Sequence, residues 1–60
     1  MPSDETRKVL KLFGVAVTDL EEAIERGASP EEVARLDAVL AERVREVTAL
    51  VDRLRRRRTT

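Results

Sequence analysis

Cysteine, histidine, tryptophan and tyrosine are all missing from this chain of 60 residues, and Phe13 is its only aromatic. Without cysteine there is no disulfide framework. Without cysteine and histidine there is no zinc site of the usual kind and no Cys–His or Ser–His–Asp machinery. Long apolar stretches are missing too. The apolar runs at residues 15–17, 38–41 and 49–51 fall far short of the roughly 20 residues of a membrane span or the roughly 7–15 of a secretory signal. The expectation is a chain with no membrane span, placed in the cytoplasm. Glycine occurs twice, at Gly14 and Gly27, too far apart for a phosphate-cradling loop. Ser3, Thr18, Ser29 and Thr48 have no base to activate them as nucleophiles. Glu21/Glu25 and Glu42/Glu46 are acid pairs at helical spacing. Di-metal bundles combine such acids with Glu-x-x-His pairs, which need a histidine, so these four read as a solvated face. The sequence therefore predicts no enzyme, catalytic residue, cofactor, metal or small-molecule substrate.

What the chain does have is charge. Twelve Lys+Arg balance twelve Asp+Glu for a net of zero, and charged residues make up 40% of the whole. The balance hides a division. Residues 19–42 hold eight acids against Arg26 and Arg35, a net of −6, whereas residues 53–60 hold five arginines and no acid, a net of +5. Such asymmetry points to surfaces of opposite sign on one molecule.

Punctuation divides the chain into two helices. Ser3 precedes Asp4 and Glu5, which suits an N-cap followed by acids at the positive end of a helix. Gly27 stands where a left-handed residue closes a helix. Ser29-Pro30-Glu31-Glu32 then restarts one, with Ser29 as cap, Pro30 at the first helical position and Glu32 at capping-box spacing. No strand alternation or hairpin dipeptide appears. The predicted fold is all-α: an antiparallel two-helix hairpin over about residues 3–26 and 30–57, forming a single domain over 1–60 with a basic C-terminal end at 53–60. Pairs with an acid four residues before a base (Asp4/Lys8, Glu22/Arg26, Glu31/Arg35, Asp52/Arg56) agree with helix.

The apolar positions predict assembly. In the first helix Leu10, Phe13, Val17, Leu20 and Ile24 follow the 3-4 spacing of a bundle seam, with Val9, Ala16 and Ala23 widening it. In the second helix Leu36, Leu40, Val44, Val47, Val51 and Leu54 continue the pattern, widened by Val33, Val39 and Leu50. A lone two-helix hairpin needs only a narrow stripe and would leave one side of each of these wet. A core this small is marginal by itself. The expected remedy is a homodimer, two hairpins forming an antiparallel four-helix bundle, with a helical protein partner as the alternative. The predicted role is a protein–protein interaction or oligomerisation module: a dimerisation, docking or small accessory subunit. Its predicted interface is the eleven seam residues just named, Leu10 to Ile24 and Leu36 to Leu54.

Three features stand outside that plan. Leu12 and Val15 fall away from the seam and mark a candidate second docking patch. Gly14 costs about 1 kcal/mol inside a helix relative to Ala and reads as a position for close helix crossing. Asp37, at the edge of the second stripe, reads as a boundary residue reaching solvent. The basic end supports a rival function. Arg53, Arg55, Arg56, Arg57 and Arg58 suit either an acidic protein partner or nucleic-acid phosphates. In size and hairpin plan the chain resembles the small RNA-binding helical-hairpin dimers of the repressor-of-primer type. That likeness implies a small dimeric nucleic-acid-binding regulator acting through its basic end. Against nucleic acid stands the lack of aromatic side chains to stack on bases. The same arginines offset the helix dipole and end the apolar stripe after Leu54.

Overall fold

A computed structural model describes residues 3–58. The chain forms two helices, α1 over Asp4–Glu25 and α2 over Pro30–Arg58, packed against each other as a hairpin. The caps explain the boundaries. The Ser3 side chain accepts a hydrogen bond from the Thr6 amide at 3.1 Å, satisfying one of the free donors at the start of α1. At the other end the Ala28 amide donates to the Ala23 carbonyl at 2.9 Å and the Gly27 amide to Ile24 at 3.2 Å. This is the two-bond closure of a Schellman motif, and it requires the left-handed backbone that Gly27 adopts at φ 71°. Ser29 then caps α2, accepting from the Glu32 amide at 3.2 Å. The reciprocal half of the expected capping box is replaced: the Glu32 carboxylate takes the Arg26 guanidinium, so an ion pair straddles the turn. Of the basic C-terminal end expected at 53–60, residues 59–60 lie outside the described residues.

Several local ion pairs form at a spacing of three. Arg7 reaches Asp4 at 2.7 Å, Arg45 reaches Glu42 at 2.7 Å, and Arg55 stands 3.6 Å from Asp52. Arg43 donates to both carboxylate oxygens of Glu46 at 3.0 Å. Far from the turn, Arg53 donates to Glu5 at 2.9 Å and ties the open end of the hairpin together.

The seam between the helices has two buried alanines on the α1 side, with larger side chains around them. Among the described residues only Ala16, Ala23 and Leu50 are buried, Ala23 completely. Val9, Leu12, Phe13 and Leu20 of α1, and Val33, Leu36, Leu40, Arg43, Val47 and Val51 of α2, are half-buried around them. The expected seam is therefore displaced. Val9, Ala16 and Ala23, which the spacing alone places beside the main stripe, point at α2, while Leu10, Val17 and Ile24 are turned outward. The reason is size: two alanines seven residues apart let the helix axes approach closely, and bulky side chains in the same place would hold them apart.

The product is a rod of 48 × 18 × 12 Å. Its radius of gyration is 14.3 Å, against roughly 10 Å for a compact domain of this length.

Candidate functional site

Each helix advances about 100° per residue. With Val9, Ala16 and Ala23 facing α2, that advance carries Leu10, Val17 and Ile24 to one flank of α1 and Leu12 and Val15 to the other. Leu12 shares a groove with Glu5, Lys8, Val9, Arg43 and Glu46, so that second flank lies beside Arg43 and Glu46 of α2. In an antiparallel pair the remaining flank of α2, bearing Leu40, Val44, Val47 and Val51, then lies on the same side of the rod as Leu10, Val17 and Ile24.

One side of the rod consequently gathers large apolar side chains from both helices. Ile24 is 61% exposed and Leu10 51%, and Val17, Val44 and Leu54 are exposed as well. Phe13, Leu20, Leu36, Leu40, Val47 and Val51 are half-buried, with part of each side chain packed on the neighbouring helix. At the turn end, Val17, Leu20 and Ile24 line a shallow concavity rimmed by Glu21 and Glu25. Leu54, at the opposite end, is followed by Arg55 and Arg58 on the continuation of the stripe. Asp37 is exposed in the single hairpin.

The excess of surface can be measured. A compact monomer of 6.8 kDa exposes about 4,000 Å², whereas this chain exposes 4924 Å². The difference, roughly 900 Å², compares with the ~800 Å² that each partner hides in a standard interface.

The opposite flank is mixed. Leu12 is half-buried in its groove, Val39 is exposed on α2, and Val15 is exposed in a shallow concavity of α1 that it shares with Leu10, Gly14, Thr18 and Glu22. Leu12 and Val15 thus line separate grooves. Gly14 faces away from α2: a Cβ built there meets nothing within 4 Å. The close crossing expected at Gly14 does not occur within the hairpin, and the Thr18 hydroxyl donates back to the Gly14 carbonyl at 2.9 Å.

The basic end is partly occupied by its own chain. Arg53 is held by Glu5, and Arg55 lies near Asp52 with its side chain 77% exposed. Arg56, Arg57 and Arg58 are exposed. Among the carboxylates, Glu32 is held below its ordinary pKa by the hydrogen bond from Arg26, and Glu42 by that from Arg45. Arg26 is raised by the same contact with Glu32. Of the acid pairs, Glu21, Glu25 and Glu42 are exposed, and Glu46 is engaged by Arg43. No described helix is long and apolar enough to cross a membrane.

No protein-family model matches the sequence, and no match was found among curated proteins or solved structures.

Proposed function

We propose that this chain is a protein–protein interaction and oligomerisation module, a helical hairpin whose apolar flank is completed by helices from another chain. The observation that carries this reading is the inverted burial. Among the described residues, two of the three buried positions are alanines, while Leu10, Val17, Ile24, Val44 and Leu54 are exposed. Contiguous exposed apolar surface of this kind marks a binding surface. Nucleic acid has less support. Arg53 and Arg55 face carboxylates of their own chain, and no aromatic stands beside them to stack on bases.

The test is thermal unfolding followed by circular dichroism over a hundredfold range of concentration. Assembly-coupled folding raises the midpoint with concentration by mass action. A midpoint independent of concentration, with full helicity in the purified chain, would contradict the proposal. Binding to RNA or DNA that weakens steeply with salt would instead favour the arginine end as the functional surface.

A further inference from the structure

We infer that the occupant of the apolar flank is a second copy of this chain, docked antiparallel so that the turn of one hairpin lies beside the open end of the other. This inference rests on the interaction-module reading above and adds the partner and its orientation.

Length sets the register. At about 1.5 Å per residue measured from the turn, Ile24 and Leu20 stand roughly 5 and 11 Å along the rod, and Leu54 stands roughly 38 Å along it. A two-fold axis at the middle of the 48 Å rod exchanges these positions. Leu54 of one copy then meets the concavity formed by Val17, Leu20 and Ile24 of the other. Phe13 and Val44, each roughly 22 Å from the turn, fall at the axis. Complete overlap of the rods therefore puts apolar residues opposite apolar residues along the flank. The excess surface of each copy matches what a standard interface removes.

Charge chooses between the two directions. The concavity at the turn end is rimmed by Glu21 and Glu25, within the segment of net −6 at residues 19–42. Leu54 is followed by Arg55 and Arg58 on the same stripe, within the segment of net +5. In the antiparallel pair Arg55 and Arg58 of each copy approach Glu21 and Glu25 of the other, twice over by symmetry. In a parallel pair acid would face acid at one end and arginine would face arginine at the other, an arrangement that like-charge repulsion disfavours.

Nitroxide labels on Ala28→Cys, at the turn, read the orientation by pulsed dipolar spectroscopy; the chain has no other cysteine. Antiparallel docking separates the two turns by most of the 48 Å rod, so the expected distance is about 40 Å. A distance below about 20 Å, two interhelical spacings, would overturn the orientation and leave the interaction module standing. An unfolded, uncoupled monomer would overturn self-association alone. A folded, uncoupled monomer would overturn both. Charge reversal adds a readout that does not depend on labels. Arg55→Glu with Arg58→Glu weakens the dimer about tenfold at low salt, and adding Glu21→Arg with Glu25→Arg in the same chain restores it. Dimerisation unchanged by the first pair of substitutions would contradict the charge-set direction.

Discussion

The two sides of α1 are built on opposite principles. The side facing α2 carries Ala16 and Ala23, buried and small, while the flank beside it carries Leu10, Val17 and Ile24, large and exposed. In a self-sufficient domain the large side chains fill the interior, because burial stabilises in proportion to the apolar area removed from water. Here the interior sets the distance between the helices and the exterior holds most of the unrealised hydrophobic energy. On the proposed reading the hairpin is one half of a core.

Substitutions on each side separate these roles. Phe13→Ala should have the largest effect, because the ring lies between seam and flank and contributes to both. A loss of about 3–5 kcal/mol per chain is expected in the unfolding of the assembled protein; a neutral result would show that the flank is not where assembly occurs. Ala23→Leu attacks the seam alone. It should cost about 1–3 kcal/mol by overpacking, because Ala23 is fully buried, and chemical denaturation measures it.

The two glycines sharpen the contrast further, since the same change should have opposite signs. Gly27→Ala forces a Cβ into the left-handed region at φ 71° and should destabilise by about 1 kcal/mol. Gly14→Ala adds a methyl where nothing lies within 4 Å and should stabilise by about 1 kcal/mol through helix propensity. A loss at Gly14 would mean that another chain packs closely on that outward face.

The smallest effect expected is that of acid. Glu32 and Glu42 have folded pKa values below the ordinary 4.5 because Arg26 and Arg45 hydrogen-bond them. Their contribution to stability is complete above the ordinary value and is lost as pH falls through the depressed folded values. Both pairs are exposed, so the loss below about pH 4.5 should be shallow and should diminish with salt. A titration of the unfolding midpoint against pH at two ionic strengths checks this.

The helices, their ends and the turn were legible from Ser3, Gly27, Ser29 and Pro30, because capping chemistry is local and depends on few residues. The apolar flank was legible as a stripe, since Leu10, Phe13, Val17, Leu20 and Ile24 recur at bundle spacing. Which part of the broad stripe meets α2 was not. Ala16 and Ala23 weigh less than Leu10 and Ile24 on any hydrophobic reading, yet their small size decides where the helices approach most closely. Nor was the partner of Glu32 legible. The capping-box position and the reach to Arg26 across the turn are compatible with the same sequence, and only the path of the turn selects between them. Gly14 poses a related problem, as a helical glycine signals close packing without saying on which side, and within the hairpin it faces away from α2.

The central claim is that one hairpin does not suffice for a stable fold. Equilibrium sedimentation of the purified chain at micromolar concentration, with helicity measured on the same samples, tests it most directly. The account predicts that helical protein sediments as a dimer and that helicity falls as dilution drives dissociation. A fully helical species with the 6.8 kDa mass of one chain would contradict it.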